Sequence, residues 1–321
     1  MTANRRDMPL IIAHRGACSY LPEHTLAAKA LAFGLGADYL EQDVVATRDD
    51  ELVVLHDIHL DTVCNVAEKF PDRAREDGQF YVRDFTIAEL RTLNIHERRS
   101  ADGQAAVFPG RFPTDRGHFS IATLAEEIEM VQGLNKATGR NVGIYPEIKH
   151  PEWHYAEGVD LSSLVLDTLS RYGYTEHEHA VYVQCFHAEE VARIRQQLGC
   201  RLKLIQLIDS TNDPSTTTDY QQLKTPEGLR AIADYADGVG PWVGDLYRNA
   251  EIDGQPVSTG FVKAAHAVGL AVHPYTFRAD SLSPGFESFE EMVQWFAETL
   301  AIDGLFTDFT DLAIAAVQKM K

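Results

Sequence analysis

The sequence has few cysteines, a deficit of positive charge and no long apolar run. Its four cysteines show no Cys-x-x-Cys spacing, which argues against zinc-ribbon and thioredoxin-like sites. The formal net charge is −19, and an acidic surface of this kind disfavours nucleic acid and anionic membranes as partners. No segment approaches the roughly 20 apolar residues that a spanning helix needs. We therefore expect neither nucleic-acid binding nor membrane insertion.

Two nucleotide-binding motifs and an export signal are also missing. There is no Gly-x-Gly-x-x-Gly and no P-loop, so nucleotide binding by those modes is unsupported. Residues 1–7 are polar and lack the apolar stretch of a signal peptide. As written, the chain predicts a cytoplasmic protein, and a periplasmic one if a signal was trimmed. Cys185 lies in an apolar run and is expected to be buried, while Cys18 and Cys64 leave two alternatives, a disulfide or two free thiols.

Apolar runs alternate with segments of helical period along the whole chain, which predicts repeated βα units and a parallel sheet. A length of 321 residues with 45% apolar residues is normal for one α/β barrel. We predict a single (β/α)8 TIM barrel over residues 1–321. Its predicted strands are 10–14, 39–45, 142–148, 180–185, 202–208, 237–241, 270–275 and 304–307. Its predicted helices are 24–33, 123–134, 163–171, 188–198, 228–235, 259–268 and 288–299.

A further apolar run, 52–56, follows the second strand too closely for a parallel crossover and predicts a β-hairpin. If Asp49 and Asp50 are the two turn residues, Asp43 lies directly opposite His56 on the same face of the hairpin. A shift of one residue in the register would remove this pairing.

Residues 58–119 do not follow the βα pattern. We interpret them as an inserted subdomain after the hairpin that lies over the C-terminal mouth of the barrel, where long loops carry function. A second long segment, 209–225, is rich in Ser, Thr, Asp and Asn and is predicted to be a surface loop.

Carboxylates lie in the second half of two predicted strands, at a spacing that places them on one face. Glu41 and Asp43 are two residues apart, as are Glu147 and Lys149. In a barrel both pairs would point inward near the carboxyl ends of their strands. Three carboxylates of this kind predict an oxygen-ligand site for a divalent cation, and Lys149 would add charge for an anion. The alternative is a set of surface carboxylates paired with Lys or Arg.

Histidines end two predicted strands. His14 precedes Arg15, a pairing that suits an acid or base beside a phosphate-binding guanidinium, and His56 ends the hairpin. The alternative for His14 is a hydrogen-bonded structural histidine at the barrel rim. Other histidines carry less weight: His273 and Tyr275 are expected to face the mouth. Those expected to be exposed are His150, His154, His177 and His179.

Taken together, these segments resemble the glycerophosphodiester phosphodiesterases, particularly the bacterial periplasmic type that releases glycerol 3-phosphate. The similarity runs in order from the first strand to the last. The matching segments are 14–16, 21–25, 40–44, 53–57, 70–75, 109–113, 144–149, 184–186, 272–278 and 303–309, with Tyr81.

The resemblance implies the fold and assigns roles to the residues. A (β/α)8 barrel with an insertion after 56–57 is implied, with His14 and His56 as the acid/base pair. The implied activity is cleavage of a small glycerophosphodiester, assisted by a divalent cation, Ca²⁺ first and Mg²⁺ as the alternative. The implied metal ligands are Glu41, Asp43 and Glu147; the implied phosphate ligands are Arg15 and Lys149; the implied pocket residues are Glu23, Phe186 and Tyr275.

Two other functions compete with this interpretation. A phospholipase D-like lipid hydrolase would use a similar two-histidine barrel, but would favour an exposed apolar rim or an interfacial helix. A binding protein would hold phosphodiesters without turnover, which the presence of both histidines and all three carboxylates disfavours.

Overall fold

The computed structural model describes residues 8–212, 216–249 and 254–320. The polar segment 1–7, on which the export-signal prediction depends, lies outside the described residues. The strands are β1 (Leu10–Ala13), β2 (Tyr39–Ala46), β3 (Leu52–Val54), β4 (Gly143–Ile148), β5 (Tyr182–Cys185), β6 (Lys203–Ile208), β7 (Gly238–Pro241), β8 (Tyr247–Asn249), β9 (Pro256–Ser258), β10 (Ala271–Val272) and β11 (Gly304–Thr307).

Eight of these strands form a parallel barrel. Their order is β10-β7-β6-β5-β4-β2-β1-β11, and β3 pairs with β2 off this path. The two ends of that series meet through backbone bonds: Asp303 N donates to Val272 O at 3.0 Å, and Phe277 N donates to Phe306 O at 2.8 Å. The predicted TIM barrel is confirmed, and each predicted strand is present. Strand β10 is shorter than the predicted strand 270–275. Pro274 has no N–H for the ladder, and beyond it the pairing with the β7 side continues as an isolated bridge between Trp242 and Tyr275.

Helices lie between the strands. They are α1 (Leu26–Leu35), α2 (Val66–Lys69), α3 (Ile87–Leu90), α4 (Leu124–Thr138), α5 (Pro151–Ala156), α6 (Leu161–Arg171), α7 (Ala188–Gln196), α8 (Tyr220–Leu223), α9 (Pro226–Ile232), α10 (Phe261–Ala267), α11 (Phe289–Trp295) and α12 (Thr310–Gln318). A capping box between Thr123 and Glu126 begins α4, at the start of the predicted helix 123–134. Helix α12, which the sequence prediction missed, packs on α11 and β1.

Apolar side chains fill three clusters. The largest lies between the strands and the helices, as expected for a barrel whose strands are covered on their outer face. A small cluster fills the barrel interior and consists of Ile12, Tyr145, Ile205, Leu207 and Phe306. His273 belongs at this level and not at the mouth, because its Nδ1 lies 2.9 Å from the Tyr145 hydroxyl and the residue is fully buried. The expectation that His273 faces the mouth was therefore wrong.

The hairpin has a different register from the predicted one. The observed pairs are Val44↔Val54, Val45↔Val53 and Ala46↔Leu52. The loop has three residues and not two, since Asp50 adopts a left-handed φ of 59° and its N–H bonds back to Thr47. Leu55 consequently bonds to the backbone of Asp43, and the predicted direct pairing of Asp43 with His56 is wrong. His56 reaches the same region because the chain leaves the strand after Val54.

The third apolar cluster lies beneath the segment between β3 and α4, residues 55–123, here called the β3–α4 segment. It joins Val45 and Val53 of the hairpin to Phe80, Phe85 and Leu93 of the segment. The segment therefore has an apolar contact surface with the barrel. The interpretation of residues 58–119 as a separate inserted subdomain stays a prediction.

Segment 209–225 is not only a surface loop in its described part. It contains helix α8, and the ring of Tyr220 is buried. Residues 213–215 lie outside the described residues. The four cysteines are free and buried, so the alternative of two free thiols holds for Cys18 and Cys64, and the burial of Cys185 is confirmed. No helix in the described part of the chain is long and apolar enough to cross a membrane.

His154 is fully buried, which contradicts the expectation of an exposed side chain. Its Nδ1 donates to the carbonyl of His150 at 3.0 Å, and its Nε2 accepts from Ala46 N at 3.2 Å. Both ring nitrogens are satisfied only by the neutral imidazole. Helix α5, absent from the predicted elements, places this ring against the hairpin strand.

This ring should make stability depend on pH. Burial lowers the pKa of His154 to about 4, whereas the unfolded chain titrates near 6.5, so its contribution is complete above pH ~6.5 and is lost as the pH falls to about 4. This pKa difference between the folded and unfolded states corresponds to about 3 kcal/mol in the free energy of unfolding. In denaturant unfolding from pH 7 to 4, we expect His154→Gln to lose less stability than the wild type. Parallel curves for the two proteins would contradict this.

Candidate active site

One cavity of about 280 Å³ opens at the carboxyl ends of the barrel strands. Nine of the ten predicted site residues line it, namely His14, Arg15, Glu41, Asp43, His56, Glu147, Lys149, Phe186 and Tyr275. Glu23 is not among the lining residues. The lining also includes Gln184, Leu207, Trp242, Thr276, Arg278 and Phe306, to which the sequence interpretation gave no role.

The end of β1 holds Arg15 in a tight turn. Arg15 and Gly16 both have positive φ, of 56° and 88°. A Cβ at Gly16 would lie 2.9 Å from the backbone of Ala28, so this position requires glycine. The turn directs the backbone N–H of Arg15 to the Glu41 carboxylate at 2.5 Å. The first two strands are thus joined at the floor of the cavity.

His14 is held by a carboxylate from the last strand of the barrel. Its Nδ1 donates to Asp308 Oδ1 at 2.6 Å, and Asp308 Oδ2 accepts from Arg111 and from Arg278, each at 2.7 Å. Burial lowers the pKa of His14 to about 4. Because Nδ1 carries the proton, the Nε2 lone pair of the neutral ring is left for a reacting group.

His56 has a parallel arrangement with its neighbour in sequence. Its Nδ1 donates to Asp57 Oδ1 at 2.5 Å, and Asp57 Oδ2 accepts from Arg98 at 2.6 Å. Burial and the positive charges of Arg15 and Lys149 lower the pKa of His56 to about 4. Two neutral imidazoles therefore line one cavity, each bonded through Nδ1 to an aspartate.

The three predicted metal ligands lie together. Burial and the Asp43 carboxylate raise the pKa of Glu41 well above its usual range, and burial raises the pKa of Glu147 to about 8. Against the effect of its own burial, the charge of Lys149 and the hydrogen bond from His24 hold the pKa of Asp43 well below its usual range. Burial of the three carboxylates together therefore disfavours the simultaneous ionisation of all three.

The sequence interpretation missed a contact to this group. His24 Nε2 lies 2.7 Å from Asp43 Oδ2, and the donor atoms of His24, Glu41 and Asp43 lie within 4.8 Å of one another. Asp43 Oδ1 is buried and has no hydrogen-bond partner among the described residues. Acidic groups that could bind a metal ion are therefore present. His24 was assigned to the start of α1, whereas Thr25 caps that helix and leaves His24 free to turn inward with a φ of 59°.

Positive side chains lie beside the carboxylates. Lys149 Nζ is 2.6 Å from Glu147 and 3.6 Å from Asp43, and Arg15 Nε is 3.6 Å from Asp43. The Glu23 carboxylate accepts from Arg15 NH1 at 3.1 Å, so Glu23 contacts the guanidinium and not the cavity. The cavity thus combines cations for an anionic ligand with an oxygen cluster for a metal.

A buried ion pair supports β2 from behind. Lys29 of α1 and Glu127 of α4 are both fully buried and pair at 3.0 Å. Lys29 also donates to the backbone carbonyl of Glu41. The pair therefore fixes the strand that carries Glu41 and Asp43.

Replacing Lys29 with methionine should destabilise the protein, because Glu127 would be left as an unpaired buried carboxylate. We expect a loss of about 3–5 kcal/mol in urea unfolding. The double variant Lys29→Met/Glu127→Leu removes both charges and should recover most of the loss. A double variant as unstable as the single one would contradict the role of the ion pair.

Residues 14–312 match the sequence model of the Glycerophosphoryl diester phosphodiesterase family. The chain is 42% identical to a glycerophosphodiester phosphodiesterase of Haemophilus influenzae, over 97% of this chain and 90% of that protein. It is 37% identical to a protein of the same name from Treponema pallidum, over 97% and 92% of the two chains. These similarities extend over nearly the whole chain.

Solved structures share the fold. A putative glycerophosphoryl diester phosphodiesterase from Silicibacter pomeroyi aligns with a TM-score of 0.73 at 22% identity, over 99% of this chain and 95% of that one. A phosphodiesterase from Oleispira antarctica, solved in complex with the product sn-glycerol-3-phosphate, aligns with a TM-score of 0.65 at 18% identity, over 97% of each chain. At these identities the likeness supports the barrel fold.

Proposed function

This chain belongs to the glycerophosphoryl diester phosphodiesterase family, and we propose that it hydrolyses glycerophosphodiesters to glycerol 3-phosphate and an alcohol. Glycerophosphocholine and glycerophosphoethanolamine are the proposed type of substrate. The observation that carries the proposal is the pair of neutral imidazoles, His14 and His56, facing one cavity that also contains cationic side chains and a carboxylate cluster. Acid/base groups, anion ligands and metal ligands are the parts that phosphodiester cleavage needs.

Arg15 and Lys149 are proposed to bind the phosphate. The Arg15 guanidinium offers a fork of N–H donors that fits two phosphate oxygens, whereas Lys149 acts as a point charge. Arg278 also lines the cavity and adds a third cation. These groups stabilise negative charge that develops on the phosphoryl oxygens.

A divalent cation, Ca²⁺ first and Mg²⁺ as the alternative, is proposed to bind Glu41, Asp43 and Glu147. The buried Asp43 Oδ1 and the mutual repulsion of the three carboxylates support this set, because oxygen donors suit a hard cation. When bound, such an ion neutralises phosphate charge and lowers the pKa of a coordinated hydroxyl group.

His14 and His56 are proposed to divide the proton transfers. In the substrate complex, one imidazole is neutral and its Nε2 takes the proton of the nucleophile. The other has gained a proton on binding the anionic substrate, and its Nε2–H gives that proton to the departing alcohol. The aspartate at each Nδ1 holds the ring in the tautomer that this requires and stabilises the imidazolium that forms. The nucleophile is water, or the 2-hydroxyl of the substrate's own glycerol by way of a cyclic phosphate.

Phe186 and Tyr275 are proposed to line the substrate pocket. Their rings meet edge to face with centroids 5.8 Å apart at the cavity wall. Glu23 is better described as a group that orients Arg15, since its carboxylate bonds to the Arg15 guanidinium. The proposed pocket role of Glu23 is therefore replaced by an indirect one.

The test of this function is a panel of soluble diesters. Glycerophosphocholine, glycerophosphoethanolamine and glycerophosphoglycerol are incubated with the protein and Ca²⁺ or Mg²⁺, and glycerol 3-phosphate is measured by an enzyme-coupled assay. Release of glycerol 3-phosphate from at least one diester is expected. Binding of these diesters without release of either product would contradict the proposal and favour a binding protein.

A further inference from the structure

The β3–α4 segment carries an arginine whose guanidinium is shared between two site residues. Arg98 donates through Nε and NH2 to the two oxygens of Glu23, at 3.1 and 2.7 Å, and through NH1 to Asp57 at 2.6 Å. Asp57 in turn accepts from His56, and Glu23 accepts from Arg15. Arg98 therefore connects the carboxylate behind one imidazole with the carboxylate behind the phosphate-binding guanidinium.

A second arginine of the same segment has the corresponding place behind the other imidazole. Arg111 donates through NH2 to Asp308 at 2.7 Å, and its Nε donates to Asp280 at 2.8 Å. Its guanidinium lies 3.6 Å from the ring centroid of Phe108, which fixes its plane. The segment thus supplies one arginine to each histidine–aspartate pair.

We propose that Arg98 and Arg111 are positioning residues, through which the β3–α4 segment completes the acid/base pair of the barrel. The inference rests on the proposed two-histidine function. Each arginine fixes the orientation of an aspartate, and each aspartate fixes the tautomer and direction of a histidine. Strand β1 places His14, whereas His56 lies at the start of the segment itself, and docking of the segment orients both imidazoles.

The two arginines should not contribute equally. Asp308 is also held by Arg278 at 2.7 Å, so it keeps a cationic partner when Arg111 is removed. Among the described residues, no arginine or lysine other than Arg98 pairs with Asp57. Loss of Arg98 therefore leaves the aspartate of His56 with no cationic partner in the described structure, and we expect the larger effect there.

The experiment compares Arg98→Gln with Arg75→Gln as the matched control. Arg75 also joins two carboxylates, Asp84 at 2.8 Å and Glu157 at 2.7 Å, and neither forms an ion pair with a histidine within the described part of the chain. We expect Arg98→Gln to lower kcat by roughly 10- to 100-fold, as loss of an orienting partner does, and Arg75→Gln to keep the wild-type kcat. The fold-loss in kcat should be smaller for Arg111→Gln than for Arg98→Gln.

A double-variant cycle separates positioning from a general loss of structure. If Arg98 acts through Asp57, adding Arg98→Gln to Asp57→Asn should lower kcat little further, whereas independent effects would multiply. Arg98→Lys should recover only part of kcat, since an ammonium cannot bridge both carboxylates with the same geometry. Recording thermal unfolding for every variant shows which of them are folded at the assay temperature.

The inference is overturned if Arg98→Gln lowers kcat no more than Arg75→Gln does. It is also overturned if the fold-losses in kcat of Arg98→Gln and Asp57→Asn multiply in the double variant. These results would leave the proposed function intact, provided that His14 and His56 variants still lose activity. Conversely, active His14 and His56 variants would overturn the two-histidine function itself, whatever the arginine variants do.

Discussion

Replacing His56 with alanine is expected to lower kcat for glycerophosphocholine by roughly 10²- to 10⁴-fold, and His14→Ala should lower it over the same range. Asp308 orients His14 and Asp57 orients His56, so neither imidazole can take over the position of the other. Release of glycerol 3-phosphate under saturating substrate measures the effect. The KM should change less than kcat, because the proposed phosphate ligands Arg15 and Lys149 remain.

His177→Ala is the matched control for the two histidine variants. His177 is about half exposed and lies 3.2 Å from Asp237, away from the residues that line the cavity. It should keep the wild-type kcat. Near-wild-type turnover by His14→Ala or His56→Ala would contradict the assignment of that residue to proton transfer.

Removing divalent cations with a chelator is expected to abolish activity, and added Ca²⁺ should restore it. The physical reason is the burial of Glu41, Asp43 and Glu147 side by side: burial first, and the neighbouring Asp43 carboxylate second, raise the pKa of Glu147 to about 8 and that of Glu41 well above its usual range. A bound cation would offset these effects and hold all three groups ionised. Calcium titrations followed by activity and by calorimetry measure the effect directly.

Substitutions test which carboxylates are involved. Asp43→Asn and Glu147→Gln should raise the Ca²⁺ concentration needed for half-maximal activity. Glu152→Gln is the control, because Glu152 is about half exposed and pairs with His187. Full activity in excess chelator, or unchanged calcium dependence in Asp43→Asn, would contradict the metal site and leave the cations Arg15 and Lys149 as the charge-stabilising groups.

The fold was predictable from local pattern. Apart from β2, which continues into the hairpin, each barrel strand is a short run followed by a helical segment, and the periods of two and of about 3.6 residues are visible without knowledge of the partners. The start of α4 after Thr123 could likewise be predicted, since a capping box joins residues only three positions apart, here Thr123 and Glu126. The positions of Glu41, Asp43 and Glu147 at the cavity follow from strand periodicity and from the parallel order of β2 and β4.

The register of the hairpin could not be predicted from the local sequence pattern. The short link between β2 and β3 predicted the antiparallel pair, because a parallel crossover needs a longer connection, but the length of the loop decided the register. That length depends on the left-handed φ of 59° at Asp50. Asn and Asp tolerate this conformation, but the presence of an aspartate does not predict it. A difference of one loop residue placed Leu55, and not His56, opposite Asp43.

The sequence by itself thus determined the barrel, the strand ends and the residues that face the cavity, because periodicity sets which side of a strand a residue occupies. Only the tertiary structure decided the partners: Asp308 for His14 across nearly the whole chain, Arg98 for Asp57, and His24 for Asp43. The physical reason is that a buried polar group must find a hydrogen-bond partner within about 3 Å, and which distant atom meets that distance depends on how the complete chain packs.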